Sequence, residues 1–161
     1  MVGVESTVVK IEDGVCTILR PGGVTFEQIS EVIPVKKIEN SGLRTESPGQ
    51  LESHYAPWTP FYLLPKLWDE CSETTTRVAP TRAGLLSFQG VKDGSFFESI
   101  QILSRKGDLN EAAAKLFQQM RKLDKMHLDI LLAEPVPEKG IGIAIMDRLR
   151  KASGGKTITS F

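Results

Sequence analysis

The strongest constraint on the fold is the alternation of apolar strands with amphipathic helices in the second half of the chain. Residues 108–126 place apolar side chains on one stripe at helical spacing, which predicts a long helix. Residues 128–133 end in an unbroken apolar run, typical of a strand that is covered on both faces, and residues 138–152 predict a second helix. This alternation predicts an α/β fold: a Rossmann-like three-layer domain whose mainly parallel sheet lies between helical layers.

Shorter elements precede the long helix. Residues 67–71 predict the start of a helix, and the polar residues 72–81 predict a loop. Asp108 and Glu111 have the spacing of a capping box, so the long helix is expected to begin there. Further strands of the sheet are predicted at residues 61–64, 84–88 and 96–103.

The N-terminal residues predict a β-hairpin followed by a short helix. Asp13-Gly14 lies between two β-prone runs, and this dipeptide favours a tight hairpin turn. Thr25 and Gln28 have the spacing of a capping box at the start of the helix. The β-prone runs are residues 4–11 and 15–19, and a further short strand is predicted at residues 35–38.

A hairpin and one short helix bury too little surface to form an independent core. Residues 1–39 are therefore interpreted as the C-terminal end of a domain that begins upstream, with Met1 as an internal or engineered start. Residues 40–57 are predicted to be an irregular interdomain linker, and residues 58–161 the α/β domain.

The linker contains a stretch that fits no regular element, Ser-Pro-Gly-Gln-Leu-Glu-Ser-His-Tyr-Ala-Pro at residues 47–57. Pro48 lacks a backbone N–H, and Gly49 can adopt a positive φ. A plain spacer would not need the adjacent His54 and Tyr55. Two interpretations stay open: a linker that takes part in function, or an ordinary linker whose aromatic residue packs on a neighbour.

Charge and composition exclude several classes of protein. Twenty basic and twenty acidic residues cancel, so there is no overall attraction to nucleic acid or to an anionic membrane. No apolar run is long enough to span a bilayer, and no signal peptide is evident, which predicts a cytoplasmic protein. Cys16 and Cys71 are expected to be reduced thiols. Neither His54 nor His127 has a cysteine at metal-ligand spacing, so no metal site is predicted.

The open end of the hairpin is a candidate binding site. If the strands pair around Asp13-Gly14, residues whose numbers sum to about 27 face each other. Ser6 or Thr7 then meets Arg20, and hydroxyls beside a guanidinium suit a phosphate or a carboxylate. The alternative is a solvated strand end without a ligand.

Two further features have both a functional and a structural interpretation. Glycines 140 and 142, at a strand-to-helix junction, either let a phosphate approach the helix N-terminus or allow tight packing. The cations near the chain end either contact nucleic acid or complement the helix dipole. These cations are Arg148, Arg150, Lys151 and Lys156.

Several motifs occur together and in order. They are Glu5-Ser6-Thr7-Val8-Val9, Leu19-Arg20-Pro21-Gly22-Gly23, Ser47-Pro48-Gly49 and His54-Tyr55-Ala56-Pro57, followed by residues 116–124 and 140–152. The set resembles the threonylcarbamoyl-AMP synthase family in its long form, in which a YrdC-like domain is joined by a linker to a small α/β domain. The resemblance implies that residues 1–39 are the C-terminal fragment of the YrdC-like catalytic domain.

The resemblance also implies a reaction. The family joins L-threonine, bicarbonate and ATP, with magnesium, into threonylcarbamoyl-AMP and pyrophosphate, as a nucleotidyltransferase in tRNA threonylcarbamoyladenosine formation. The resemblance places Ser6, Thr7 and Arg20 in the threonine and ATP site. It implies no tightly bound cofactor, and which residues are catalytic stays open. The linker residues expected to lie over that site are Ser47, Pro48, Gly49, His54 and Tyr55.

The family's Lys-x-Arg and Ser-x-Asn motifs, which belong to the upstream part of the YrdC-like domain, have no equivalent here. The resemblance therefore implies that this chain alone is inactive and that its partner is the missing upstream segment. The alternative function is a non-catalytic regulatory or protein-binding α/β module. Direct tRNA binding, the oligomeric state and the role of residues 58–161 stay open.

Overall fold

The computed structural model describes residues 3–36, 56–71 and 82–158. Within these residues the chain forms seven β-strands and three α-helices. In chain order they are β1 (Val8–Glu12), β2 (Val15–Arg20), α1 (Phe26–Ser30), β3 (Val35–Lys36), β4 (Phe61–Leu63), β5 (Ala83–Ser87), β6 (Ser99–Ile102), α2 (Leu109–Asp124), β7 (Ile130–Ala133) and α3 (Gly142–Ala152). The predicted loop at 72–81 and most of the predicted linker lie outside the described residues.

A sheet built from β4 to β7, the C-terminal sheet, organises the larger part of the molecule. Its described strands lie in the order β4-β7-β5-β6, and each described pairing is parallel. Parallel strands need crossover connections, and α2 supplies the one that leads from β6, past β5, to β7. The predicted α/β fold with a mainly parallel sheet is therefore confirmed.

Both long helices pack on one face of the C-terminal sheet, and they also contact each other. Gly84 of β5 leaves room for the side chains of this layer, because a Cβ atom there would lie 2.6 Å from Leu128 Cδ1 and 3.2 Å from Leu123 Cδ2 of α2. This layer is the main core of the molecule. Its buried helical residues include Ala112, Ala113, Leu116, Met120 and Leu123 of α2, and Ala144, Ile145 and Leu149 of α3.

The opposite face of the sheet carries an aromatic layer. Trp68, in a 3₁₀ turn at Trp68–Glu70, packs against Phe96 and Phe97 with ring centroids 5.0 and 4.6 Å away. These rings cover Leu85 and Leu132. A helical layer was expected on both faces, but in the described parts of the chain this face is closed by a short turn and loops. Large aromatic rings cover the strands without a helix.

The helix ends differ in detail from the predictions. The predicted capping box of α1 is confirmed, with Thr25 and Gln28 bonding reciprocally. In α2, Asp108 accepts hydrogen bonds from the Asn110 and Glu111 N–H groups, at 2.7 and 3.0 Å. The Glu111 carboxylate, however, accepts from the Ser104 hydroxyl instead of reaching back to Asp108. Of the capping box predicted for α2, only the half in which the Asp108 side chain accepts from the helix N–H groups is formed.

The second long helix, α3, begins at Gly142 and not at residue 138. Gly140 has a φ of +51°, a left-handed conformation that interrupts a helix. At Gly142 a Cβ atom would lie 2.0 Å from the Pro137 carbonyl oxygen. The chain folds tightly over this turn, which delays the start of the helix.

The N-terminal sheet comprises β1, β2 and β3 in that order, within the described residues. The predicted hairpin turn is confirmed, because Asp13 and Gly14 both have positive φ. The first strand starts at Val8 and not at residue 4, because the preceding segment packs on α2. A Cβ atom on Gly3 would lie 2.2 Å from the Ala113 carbonyl oxygen, and Val4 is buried in the main core.

Two expectations concern the whole chain. Cys16 is buried, Cys71 is half-buried, and no disulfide joins the two. Among the described residues, no helix is long and apolar enough to cross a membrane. The domain boundaries at residues 39 and 57 stay predictions. Val4, from the N-terminal segment, packs in the core of the α/β part.

Candidate active-site hairpin

The predicted hairpin register holds along most of the two strands and shifts at the open end. Val9 pairs with Ile18, and Glu12 with Val15, as the turn predicts. A bulge between Val8 and Val9 then moves the pairing by one residue, so that Val8 faces Arg20. The prediction that Ser6 or Thr7 faces Arg20 across the ladder is wrong in register, because a turn alone does not reveal a bulge.

Arg20 nevertheless meets Ser6 through the backbone. The Arg20 side chain is almost completely buried, and its Nη2 donates to the Ser6 carbonyl oxygen at 3.1 Å. Its Nη1 lies 3.5 Å from Glu5 Oε2. Ser6 itself is exposed. The Arg20 guanidinium is thus fixed by Glu5 and Ser6, which precede β1, while the Ser6 side chain faces solvent.

Thr7 locks the hairpin end onto the loop that follows β2. Its hydroxyl donates to the Val24 carbonyl oxygen at 2.6 Å and accepts from the Val24 N–H at 3.1 Å. Gly22 allows the two segments to touch, because a Cβ atom there would lie 2.3 Å from the Thr7 backbone nitrogen. The Thr7 side chain therefore supports the shape of the site, and a direct substrate contact stays a prediction.

Arg148 of α3 and Glu5 belong to this site although the sequence analysis did not connect them. Arg148 is fully buried; its Nη2 donates to the Pro21 carbonyl oxygen at 3.1 Å and lies 3.3 Å from Glu5 Oε2. Its Nη1 pairs with the adjacent Asp147. The sequence did contain a signal for the burial of Arg148, because this residue lies at helical spacing from Ile145, on the same buried stripe.

The glycines at the start of α3 have structural explanations, which are a positive φ for Gly140 and close packing for Gly142. The close approach of Gly142 to Pro137 requires a glycine, as the structural interpretation predicted. The Glu27 carboxylate lies at this turn. Its pKa is lowered mainly by hydrogen bonds from its own backbone N–H and from the Thr25 hydroxyl, which outweigh the opposing effect of burial, and the Gly140 N–H lowers it further. A negative charge already faces this helix start, which disfavours a phosphate there.

A cavity of about 380 Å³ lies between the hairpin end, α1 and the start of α3. Most of its lining is apolar, and Glu27 and Lys36 are its charged members. Such a lining suits an apolar side chain better than a phosphate group. The apolar side chains and glycines around it include Ile18, Gly22, Val24, Phe26, Ile143 and Ala144.

The cations near the chain end are held by partners inside the protein. Arg150 bonds Glu138 through both of its terminal nitrogens, and Lys151 bonds Asp147 at 2.9 Å. Lys156 lies 6.0 Å from the centre of the Tyr62 ring. These contacts, together with the burial of Arg148, favour the structural interpretation over a nucleic-acid contact.

A buried carboxylate, Glu134, lies at the carboxyl edge of the C-terminal sheet, where α/β proteins commonly bind ligands. Its Oε1 accepts from the Trp68 N–H at 2.8 Å. Its Oε2 accepts from the Ser87 hydroxyl at 2.7 Å and the Phe88 N–H at 2.8 Å. The carboxylate therefore ties the strand ends together. Sequence reasoning missed it because its partners are distant in the chain.

The linker residues predicted to cover the site are outside the described residues, so their placement stays a prediction. They are Ser47, Pro48, Gly49, His54 and Tyr55. The described residues continue from Ala56. Shortly after it, the Asp124 carboxylate accepts hydrogen bonds from the N–H groups of Trp58 and Thr59, at 3.2 and 2.9 Å. The re-entry of the chain into β4 is thereby anchored at the end of α2.

Metal binding by this chain was not predicted from the sequence. In residues 3–36, 56–71 and 82–158, no group of three or more His, Cys, Asp and Glu side chains is placed to hold a metal ion. The expectation concerns the whole chain, and it stays a prediction.

The fold and the hairpin site define a parallel α/β domain that is attached, through α3, to the end of a second β-structured unit. Residues 24–154 match a family model described as the C-terminal domain of threonylcarbamoyl-AMP synthase. The chain belongs to this family.

Individual relatives agree. The chain is 34% identical over 173 residues to a threonylcarbamoyl-AMP synthase of Bacillus subtilis, covering 98% of this chain and 47% of the relative. A Pyrococcus abyssi synthase is 32% identical, with coverage of 98% and 48%. The crystal structure of P. abyssi Sua5 complexed with L-threonine superposes with a TM-score of 0.78 at 31% identity, covering 98% and 48% of the two chains. The chain thus spans about half the length of these relatives.

Proposed function

We propose that this chain is the C-terminal portion of an L-threonylcarbamoyladenylate synthase, a cytoplasmic nucleotidyltransferase of tRNA threonylcarbamoyladenosine formation. The observation that carries the proposal is the hairpin end, where Glu5, Ser6 and Arg20 form one fixed cluster in a chain similar to synthases over nearly its whole length. Ser6, Thr7 and Arg20 are assigned to the side of the site that binds threonine and ATP. That one relative is complexed with L-threonine supports the threonine assignment.

The proposed reaction has two steps. The threonine amine adds to bicarbonate and water is lost, which gives a carbamate. A carbamate oxygen then attacks the α-phosphorus of ATP, and pyrophosphate leaves. Charge builds up on the phosphoryl oxygens in the second step, and a guanidinium held in place, such as that of Arg20, stabilises it without reorganisation. Magnesium would accompany the ATP phosphates.

The linker is proposed to close over the bound nucleotide. Closure would exclude water from an adenylate that hydrolyses readily. A second P. abyssi Sua5 structure carries alanines in place of an adjacent histidine and tyrosine, and it has a TM-score of 0.77 to this chain. The His-Tyr dipeptide of this chain is His54-Tyr55, within the linker. This parallel supports a functional role for the pair.

The isolated chain is proposed to lack part of the site. Its N-terminal sheet leaves Val9, Ile11 and Val15 exposed, although a completed domain would normally bury such side chains. An upstream half like that of the relatives would provide the cover and the remaining nucleotide contacts. We therefore expect the chain alone to release no pyrophosphate.

The test measures pyrophosphate release from ATP, with and without threonine and bicarbonate. The chain is assayed alone and after mixing with the separately produced N-terminal half of the B. subtilis relative. We expect release from the mixture alone, and dependence on both co-substrates. Arg20→Ala should abolish it, whereas Arg82→Ala, at an exposed ion pair with Glu98, should not. Turnover by the unmixed chain would contradict the proposed division of the site.

A second candidate is a regulatory or protein-binding α/β module. Trp58 favours it, because this tryptophan is 99% exposed beside the re-entry of the linker, and exposed aromatic residues often mark partner surfaces. The coding sequence upstream of Met1 separates the two. An open frame with Lys-x-Arg and Ser-x-Asn motifs supports the synthase, and a start without such a neighbour supports the module.

A further inference from the structure

We propose that the C-terminal α/β unit positions Arg20 through a charged bridge, in which Arg148 holds Glu5 and Glu5 holds Arg20. The inference rests on the proposed function in one respect: Arg20 is there taken as a residue that binds ATP or threonine. It assigns a role to the α/β unit, which is to fix the hairpin end of the site. Arg148 and Glu5 are thereby positioning residues.

The bridge starts from a rigid base. Arg148 lies on α3 and has no exposed surface, and the same helix packs its apolar stripe into the main core. A buried guanidinium has few rotamers available because its neighbours are close-packed. Its Nη2 is therefore a fixed donor, and it contacts the Pro21 carbonyl oxygen directly after Arg20.

Glu5 forms the middle of the bridge. One carboxylate oxygen, Oε2, lies 3.3 Å from Arg148 Nη2 and 3.5 Å from Arg20 Nη1. Without the Glu5 carboxylate between them, the Arg148 and Arg20 guanidinium groups would repel each other. The negative charge between them thus favours the observed position of the Arg20 head group.

Arg20 is held on its other side as well. Its Nη2 donates to the Ser6 carbonyl oxygen at 3.1 Å, and the Glu5 carbonyl oxygen accepts from the Gly23 N–H at 3.0 Å. The segment before β1 and the segment after β2 are thus tied together at the point where Arg148 contacts both. Loss of Arg148 releases the Pro21 contact and one partner of Glu5 in a single step.

The first arm of the test observes Arg20 itself in the full chain. Arginine Nε–H signals are recorded by ¹⁵N NMR, with Arg20→Lys assigning the Arg20 signal, and amide exchange is followed at residues 5–8 and 20–24. We expect Glu5→Gln and Arg148→Met to shift the Arg20 signal and to accelerate this exchange by about tenfold or more. Arg148→Lys keeps the positive charge and should therefore produce a smaller shift and a smaller increase in exchange than Arg148→Met.

Arg150→Met is the matched control. It removes the same charge from the same helix, but Arg150 is half exposed and pairs with Glu138, away from the hairpin. It should leave the Arg20 signal unchanged. If Arg148→Met fails to fold, Glu5→Gln decides the question, because Glu5 is partly exposed and removal of its charge leaves the core intact. An unchanged Arg20 signal in folded Glu5→Gln overturns the proposal.

The second arm measures activity in the mixture with the N-terminal half of the B. subtilis relative. We expect Glu5→Gln and Arg148→Met each to lower kcat/KM for ATP by about 10- to 100-fold, as misplacement of a charged group does. The double variant should be little worse than either single variant, because both break one bridge. A merely stabilising role would give additive losses that disappear at lower temperature, which would contradict positioning.

The two arms separate the proposals. If the unsubstituted mixture is inactive while the Arg20 signal responds to Glu5→Gln, the proposed function fails and the bridge stands. If the mixture is active and Glu5→Gln retains full activity, the positioning proposal fails and the proposed function stands.

Discussion

The two sheets of this protein differ in how they bury apolar surface. In the C-terminal sheet, Leu85 of β5 is completely inaccessible, with helices on one face and aromatic rings on the other. In the N-terminal sheet, Ile11 of β1 is 60% exposed, and in the turn between α1 and β3 Val32 is 87% exposed. One unit closes its own core, and the other leaves apolar surface for a neighbour.

The units are nevertheless connected. Val4 inserts into the core beneath α2, and the Arg148 guanidinium contacts both Glu5 and Pro21. The N-terminal sheet therefore depends on the α/β unit for its position, and we expect it to contribute little to that unit's stability. Substitutions that remove the same kind of group from each region test this asymmetry.

The largest contrast is expected between Leu85→Ala and Ile11→Ala. The first leaves a cavity in a closed core and should lower the free energy of unfolding by about 2–5 kcal/mol. The second trims an exposed side chain and should cost less than about 0.5 kcal/mol. Urea unfolding followed by circular dichroism measures both. Equal losses would show that the outer face of β1 is covered in the isolated chain.

The next effect concerns the buried carboxylate of the C-terminal sheet. Glu134→Gln replaces an acceptor of three hydrogen bonds by an amide whose NH₂ group faces donors. A buried donor without a partner costs about 1–3 kcal/mol, so the unfolding midpoint should fall clearly. Glu98→Gln, at an exposed ion pair, serves as the control and should leave the midpoint almost unchanged. A stable Glu134→Gln protein would imply that a water molecule replaces the lost acceptor.

Helix caps give a smaller contrast. Asp108→Ala removes the cap of α2, a helix in the main core, and should destabilise the chain by about 1 kcal/mol. Thr25→Ala removes the capping box of α1, which has five residues and none that is buried. We expect it to increase amide exchange in α1 with little change in global unfolding. A loss of global stability as large as that of Asp108→Ala would show that α1 folds together with the core.

The smallest effect is a pH dependence. The hydrogen bond from Arg150 holds the pKa of Glu138 below its ordinary value of 4.5, against a smaller opposing effect of burial. Because the folded pKa is lowered, the stabilisation is present above pH 4.5 and is lost as the pH falls through the lowered pKa. Both side chains are half exposed, so the pair contributes at most about 1 kcal/mol.

Unfolding of wild type and Glu138→Gln between pH 7 and pH 3 measures this contribution. The two proteins should differ at neutral pH and converge at the acid end. A difference that grows on acidification would have the wrong sign and would exclude the Arg150 bond as its cause.

Much of the fold was predictable from local pattern. The stripe of α2, the apolar strand β7 and the Asp13-Gly14 turn are each confirmed, because each depends on neighbours within a few residues. The bulge between Val8 and Val9 was not predictable, since it depends on how the hairpin end packs against the loop after β2. The late start of α3 has a similar cause in the close contact of Gly142 with Pro137.

For the site, the sequence indicated Ser6, Thr7 and Arg20 by motif and by approximate register. It did not show that Thr7 is engaged by Val24, or that Arg20 shares a carboxylate with a helix far along the chain. Glu5 and Arg148 are 143 positions apart by their numbers, and no local pattern joins them. The roles of the linker residues stay predictions.

By itself, the sequence determined the parallel α/β class, the family, and the residue types gathered at the hairpin end. Periodicity, turn dipeptides and ordered motifs carry that information along the chain. Tertiary structure alone decided that Arg148 is buried against Glu5 and that one face of the sheet is closed by aromatic rings. These outcomes depend on which distant surfaces meet, and a buried charge is tolerated only where folding brings its partner into contact.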